Sequence, residues 1–330
     1  MDRFYLPLGH YEWLVMPFGL KNAPNIFQRK MDEIFSKYRK FECIYIDDIL
    51  VHSKSREEHV GHLKLVLSEF LKEGIIISSK KAQFFRNNIE FLGIEIGYER
   101  IKLQPHIAKK ILETPPIKDI KALQRFLGLV NYARPFIENL GKLTGPLYSK
   151  LGLTGVKLFN NEDNLQIEKI KKVVKALHDL KLPLDTDYLI IESDGCEKGW
   201  GAVLKTRPHK YSNKIEEQIS RYSSGQFKEK GLTSSIDQEI MAVIYTLDSF
   251  RLFILNKKEI LVRTDCEAIV KFFNNKNSKR INQRRWLAFK DRIINSNYRV
   301  IFEHIKGSDN SLVDKLSRCL FLEKVTKKPP

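Results

Sequence analysis

The sequence predicts an α/β protein in two halves, on three observations. Strand-like and helix-like segments alternate along its 330 residues. A polar, proline-bearing break from Pro183 to Asp187 separates the halves. Beyond the break the order is β-β-β-α-β-α-α-β-α: three strands in succession, then alternation. That order points to a mixed five-stranded sheet flanked by helices.

In the first half, residues 4–18 predict a strand pair turning at Leu8-Gly9-His10. Residues 22–39 predict a helix, with Asn22 as N-cap and Pro24 in its first turn. Apolar runs Cys43–Ile46 and Ile49–Val51 predict a hairpin around Asp47-Asp48. A helix over Arg56–Lys72 stops before Gly74. Strands are expected over Ile75–Ser78 and Ile89–Ile96, with a turn at Gly97. Pro105 and Pro115-Pro116 bracket a short helix, and residues 119–139 and 163–180 predict two more. In the second half, strands are expected over Tyr188–Glu192, Trp200–Thr206, Ile215–Tyr222, Glu259–Thr264 and Arg299–Ile305. Helices are expected over Ile236–Leu255, Cys266–Phe273, Asn282–Asn295 and Asp309–Arg318.

Lys and Arg number 57 against 40 acids, for a net charge of +17. The excess is spread, with +8 in residues 1–185 and +9 in 186–330. Both halves suit a polyanion, and nucleic acid is the leading candidate over ordinary solubility charge. Cys43, Cys196, Cys266 and Cys319 form no C-x-x-C pair, which argues against a structural zinc site and a secreted disulfide framework and fits a reducing compartment. No apolar run nears the length of a membrane span, and no signal peptide precedes the first strand. The chain opens directly on strand-like sequence, so it is expected to begin inside a domain.

Two sets of acids stand out. Asp47 and Asp48 adjoin inside an apolar stretch, "CIYIDDILVHS". They could simply fill turn positions. Adjacent carboxylates repel, however, and a divalent cation would relieve that repulsion. In the second half, Asp194 and Asp265 each end a strand, where α/β sheets place their sites. Glu239 falls within about 60° of Ile236 and about 40° of Val243 on its helix, the apolar side. Asp314 lies between Val313 and Leu316. Each acid alone could cap a turn or helix or flank a core. Four converging on one sheet edge would suit two divalent cations, the arrangement that makes or cleaves phosphodiesters.

Residues 186–320 resemble a ribonuclease H domain of the retroelement type. The resemblance implies metal-binding roles for Asp194, Glu239, Asp265 and Asp314, and a part in proton transfer or product release for His304. The stretch from Phe273 to Asn282 is short, so the basic helix of bacterial ribonuclease H is expected to be absent. Substrate grip would then fall to the region around Lys171, Lys172 and Lys175, or else to Lys279, Arg284 and Arg285.

The first half resembles a reverse transcriptase. "YIDD" is similar to that family's signature, and "VMPFGLKNAPNIFQRKM" to its nucleotide-side motif. "LKEGIIISSKKAQFF" resembles its lysine-bearing motif and "IEFLGIEI" its primer-grip hairpin. "IKALQRFLGLVNYARPFI" resembles the connector of gypsy-type retroelements and plant pararetroviruses. The wording is most similar to the caulimovirus family, on its badnavirus and tungrovirus branch, with gypsy-type retrotransposons as the other source.

The resemblance implies a partial polymerase palm over 1–104, a thumb or connector over 105–185, ribonuclease H over 186–320 and a tail over 321–330. Asp47 and Asp48 would bind metal, and Phe18 and Gly19 would contact the incoming nucleotide. Lys81, or its neighbour Lys80, would protonate pyrophosphate, and Phe91, Leu92 and Gly93 would grip the primer. The family's third polymerase aspartate has no counterpart here, so primer extension is expected to be impaired. The implied cofactor is Mg²⁺, two ions per site, with Mn²⁺ as a substitute. The implied partners are an RNA/DNA hybrid and, for the longer enzyme, primer-template and dNTP. A host cytoplasmic or virion location and a monomer are expected. A non-catalytic binding or scaffold subunit is the alternative, which the complete set of acids in the second half opposes.

Overall fold

In a computed structural model the described residues are 3–17, 19–138, 140–152, 159–197, 199–227, 234–274 and 284–306. They fall into two compact units, 1–92 and 93–330. No helix among them is long and apolar enough to cross a membrane.

The first unit opens with a hairpin of β1 (Arg3–Leu6) and β2 (Gly9–Glu12), in which Leu6 pairs with Gly9. Helix α1 (Ala23–Phe35) follows, with Asn22 at its N-cap position. A second hairpin joins β3 (Glu42–Tyr45) and β4 (Asp48–Val51). Helix α2 (Arg56–Lys72) begins where Ser55 accepts the Glu58 N–H and ends at Gly74, whose φ of 68° suits only glycine well. Met31, Phe35, Tyr38, Val66 and Phe70 form the core between the helices. The unit closes with β5 (Ile89–Phe91).

The turn of the second hairpin lies one residue earlier than expected. It is built on Ile46 and Asp47, and Asp48 already pairs with Tyr45. Ile46 has a φ of 53°, a strained value for a β-branched side chain. Its N–H donates to Gln28 Oε1 at 2.6 Å, and Gln28 Nε2 donates to the Ile44 carbonyl. The helix thereby holds the turn in register. The expected strand Ile75–Ser78 does not form: the segment has no pairing partner among the described residues, and Ile76 is exposed. Likewise, the expected single strand Ile89–Ile96 breaks at Leu92 and Gly93, with φ of 49° and 84°.

The second unit begins with β6 (Ile94–Gly97) and β7 (Arg100–Leu103). Four helices follow: α3 (Pro105–Leu112), α4 (Ile120–Tyr132), α5 (Leu140–Ser149) and α6 (Asn161–Lys175). Asp119 caps α4, and Asn160 and Asp163 form a capping box on α6. Sequence reading passes over α5, because its two glycines and internal Pro146 argue against a helix. Burial of Leu140 and Leu147 outweighs that local preference, since each fully buried aliphatic side chain contributes roughly 1.5–3 kcal/mol. A short strand β8 (Leu180–Lys181) pairs with β7.

After the Pro183–Asp187 turn come β9 (Tyr188–Cys196), β10 (Gly199–Arg207) and β11 (Gln218–Gly225). Helices α7 (Ser235–Ser249) and α8 (Arg251–Ile254) lead to β12 (Glu259–Thr264). Then come α9 (Glu267–Asn274), α10 (Arg284–Ile294) and β13 (Arg299–His304). The expected mixed five-stranded sheet is present, in the order β11-β10-β9-β12-β13. The β9–β10 and β10–β11 pairs are antiparallel, and the β9–β12 and β12–β13 pairs are parallel.

One face of this sheet buries Leu189, Ile191, Ala202 and Val262 under α7, with an aromatic cluster of Trp286, Phe289 and Phe302. On β11, Ile219 and Tyr222 pack against the core of α3–α6, so that bundle and the sheet share one body. Lys257 ties the turn between them. Its Nζ donates to the carbonyls of Leu184, Asp185 and Asp187 at 2.7–2.8 Å. The expected last helix, 309–318, lies outside the described residues.

Candidate active site

Three carboxylates meet at the C-terminal ends of the central parallel strands. Asp194 comes from β9, Asp265 follows β12 directly, and Glu239 comes from the first half of α7. One oxygen from each lies within 4.8 Å of the others. Asp194 and Glu239 are buried, and Asp265 is half-buried. They line an open cleft of about 500 Å³, together with Gly195, Cys196, Glu197, Gln238 and Cys266.

The approach of α7 to β9 depends on Gly195. A Cβ at that position would lie 2.7 Å from the Gln238 carbonyl carbon, closer still to its oxygen, and 2.9 Å from Ala242 Cβ. Glycine is therefore required by close backbone approach. Crowding of the acids has an electrostatic result: burial, then the charges of Asp194 and Asp265, push the Glu239 carboxyl up to about 9. Hydrogen bonds from the Gly195 N–H and the Thr264 hydroxyl oppose this only in part. Glu239 Oε2 is buried with no hydrogen-bond partner. Oxygen donors packed this closely, one of them unsatisfied, fit a hard divalent cation.

Below the acids, a buried ion network fixes the strands. Arg263 on β12 is in register with Glu192 on β9 and Glu303 on β13. Its guanidinium donates to Glu192 at 3.2 Å, to both oxygens of Glu217 at 2.8 and 2.9 Å, and to Glu303 at 3.3 Å. Lys205 adds a 2.7 Å bond to Glu192. Arg263 is 3% exposed, and its removal would cost buried Glu217 its two short hydrogen bonds and leave Glu192 held by Lys205. Sequence reading missed both Gly195 and Arg263, because a close approach and a cross-strand register appear only once the strand order is known.

The other expected residues are distributed as follows. His304 ends β13 opposite Thr264 and is exposed. Asp314, Lys279 and Phe18 lie outside the described residues, and Arg284 and Arg285 open α10 with their side chains outside the description. Asp47 and Asp48 are exposed at the β3–β4 turn and join no group of three potential metal ligands among the described residues. Gly19, Lys80 and Lys81 are exposed in the first unit, Phe91 is half-buried, and Leu92 and Gly93 form the left-handed turn. On α6, Lys172 and Lys175 are exposed, whereas Lys171 donates to the Thr114 carbonyl at 2.7 Å and to Glu168 at 2.9 Å.

Two family models match the chain. "Reverse transcriptase (RNA-dependent DNA polymerase)" covers residues 3–96, and "RNase H-like domain found in reverse transcriptase" covers 185–291. Polyprotein P3 of Commelina yellow mottle virus is 46% identical over 312 residues, covering 94% of this chain and 16% of the polyprotein. The enzymatic polyprotein of Cauliflower mosaic virus (strain D/H) is 42% identical over 324 residues, covering 96% of this chain and 47% of that protein. The chain thus spans at most about half the length of these relatives. Among solved structures, foamy viral protease-reverse transcriptase in complex with an RNA/DNA hybrid matches 99% of this chain and 43% of its own. The TM-score is 0.71 at 21% identity, a likeness of fold. A reverse transcriptase domain and an RNase H-like domain are thus matched in order, and the chain is similar across nearly its whole length to polyproteins of Commelina yellow mottle virus and Cauliflower mosaic virus.

Proposed function

We propose that this chain hydrolyses the RNA strand of RNA/DNA hybrids, with Asp194, Glu239, Asp265 and the expected fourth acid Asp314 binding divalent metal. The observation that carries the reading is the convergence of three carboxylates, two buried and one half-buried, from β9, α7 and the end of β12 on one cleft. When bound, a pair of Mg²⁺ ions would supply an activated water and stabilise the leaving 3′ oxygen. The protein's own part is to hold the acids. The Gly195 contact sets the separation of α7 from β9, and the Arg263 network keeps β12 aligned with β9. His304, exposed at the end of the neighbouring strand, is the residue we assign to proton transfer or product release. The +17 charge supplies sequence-independent attraction to phosphates.

The polymerase reading is narrower. Asp47 and Asp48 stand on a strained turn without a third carboxylate among the described residues, so primer extension by this chain should be near background. The reading is tested by incubating the chain with a labelled RNA/DNA hybrid and Mg²⁺. RNA should be cut, the DNA strand should stay whole, and Asp265→Asn should still bind hybrid while losing cleavage. Equal cutting by parent and variant would sink the assignment.

A further inference from the structure

Arg207 on β10 and Arg263 on β12 both meet the Glu217 carboxylate, at 3.8 and 2.8 Å. Arg221, on β11 of the same sheet, meets no carboxylate. Its half-buried guanidinium lies 5.8 Å from the centre of the Phe253 ring on α8, and among the described residues it has no hydrogen bond and no ion pair. Burial holds it below the ordinary arginine range, with no acid opposing the shift. An aromatic face attracts a cation without neutralising it. A partly desolvated charge without a counter-ion is costly, so this guanidinium favours a bound anion.

Two hydroxyls stand beside it. Residues alternate between the faces of a strand, so Ser223 shares the face of Arg221, roughly 7 Å along β11. Ser223 Oγ is 2.6 Å from Ser249 Oγ at the end of α7. One hydroxyl must donate to the other, and the second keeps its proton for a ligand. The neighbouring Asp248 is bonded to Arg292. Ser249 and Phe253 lie four residues apart, so both contacts join β11 to the same end of α7 and α8. The row is separate from the acid cleft. Arg221 aligns through Leu204 with Ile191, three residues before Asp194, and none of the four side chains lines the cleft. A guanidinium fork with all its N–H groups unpaired, beside a free O–H, is a donor set that fits the oxygens of phosphate.

We propose that Arg221, Ser223 and Ser249 form a phosphate-binding site on the β11 edge, with the Phe253 ring backing the guanidinium. Two phosphate oxygens take the guanidinium fork, and a third accepts from the serine hydroxyl. The phosphate belongs either to a nucleic-acid backbone or to a free ion, and the site is independent of the reading of the acid cluster.

The test uses inorganic phosphate on the full chain without divalent ions, against chloride at equal ionic strength. Phosphate should raise Tm by a few degrees more than chloride does. Arg221→Gln should lose that increment, and Ser223→Ala/Ser249→Ala should reduce it. The serine variant carries the test by itself if Arg221→Gln does not fold. Anisotropy titrations with an RNA/DNA hybrid then identify the source. For a backbone phosphate, Arg221→Gln should weaken hybrid binding about three- to tenfold and flatten the dependence of log K on log salt by about one unit. A lost increment with unchanged hybrid affinity assigns the site to free phosphate. Equal increments in the parent and both variants, together with unchanged hybrid affinity, would overturn the proposal.

Discussion

Asp47 and Asp48 are neighbours in sequence and stand in water on a hairpin turn. Asp194, Glu239 and Asp265 are spread along the chain, yet their oxygens meet within 4.8 Å under partial burial. The contrast is between a pair supplied by one turn and a cluster assembled from three separate elements. The second cluster exists because a parallel strand pair and a helix bring their ends together, and because Gly195 lets them approach. The first pair has a holder, Gln28, but no third element supplying charge among the described residues.

The largest expected effect separates the two directly. Asp265→Asn should lower hybrid cleavage by about a thousandfold or more, since it removes a charge that is useful only with metal bound. Asp47→Asn and Asp48→Asn should leave cleavage within about twofold, because they act in the other unit. A cleavage assay on the three variants decides it. Comparable losses in all of them would erase the distinction between the sites.

Next comes the geometry of approach. Gly195→Ala inserts a methyl group into the Gln238 carbonyl and Ala242. Strand and helix must separate, and Asp194 moves from Glu239. A displacement near 1 Å should lower cleavage by about a hundredfold. Hybrid affinity, which rests on spread charge, should change little. Full activity in Gly195→Ala would mean that the cluster tolerates spacing it is argued to require.

Much of this arrangement is legible in the chain. Strand β12 is predicted to the residue, because Glu259–Thr264 is short, apolar and bounded by polar sequence. Helix α2 occupies the expected Arg56–Lys72 and stops before Gly74. Asp265 is recognisable as a strand-end acid and Glu239 as an acid on an apolar helix face, whereas Asp194, expected to end its strand, lies inside β9 opposite Gly201. Other features depend on partners that only the fold supplies. Arg263 reads as an ordinary strand charge until Glu192 and Glu303 come into register beside it. Ile75–Ser78 has strong strand propensity and nothing to pair with among the described residues, so propensity alone misleads. The turn at Ile46 defeats expectation for the opposite reason. A β-branched residue is a poor choice for left-handed backbone, and tertiary hydrogen bonds from α1 impose it.

A third test sharpens the electrostatic side of the comparison. Glu239 has its carboxyl raised to about 9 in the metal-free fold, against an ordinary value of 4.5. The folded state therefore binds more protons than the unfolded chain between those values, and stability falls as pH rises through that window. Without divalent ions, Glu239→Gln should thus raise Tm at pH 8 by a few degrees and change it little at pH 4. About 1 kcal/mol shifts Tm by about 2–4 °C in a unit of this size. Mg²⁺ should stabilise the parent more at pH 8 than at pH 5.5, because metal and proton compete for the same oxygens. Thermal melts at the three pH values check both signs. A destabilised Glu239→Gln chain at pH 8 without metal would show that the repulsion is already relieved by other groups.

The smallest expected effects concern spread charge, where three lysines that look alike in sequence part company in the fold. Lys172 and Lys175 reach solvent from α6, while Lys171 is 14% exposed and joins α6 to the Thr114 carbonyl at the end of α3. If α6 grips nucleic acid, changing Lys172 and Lys175 to Ala should weaken hybrid binding for every sequence alike. It should also flatten the dependence of log K on log salt by roughly one unit per lost contact. Lys171→Ala should act elsewhere. It should lower the stability of the helical bundle by about 1–2 kcal/mol, through loss of a half-buried charged hydrogen bond, while moving the salt slope little. Fluorescence-anisotropy titrations at several salt concentrations, paired with denaturant melts, separate the two roles. An unchanged slope after removing Lys172 and Lys175 would mark them as a solvated face and shift the grip to Lys279, Arg284 and Arg285. An equal change in slope from Lys171 would mean that its bond to Thr114 gives way to phosphate when the hybrid arrives.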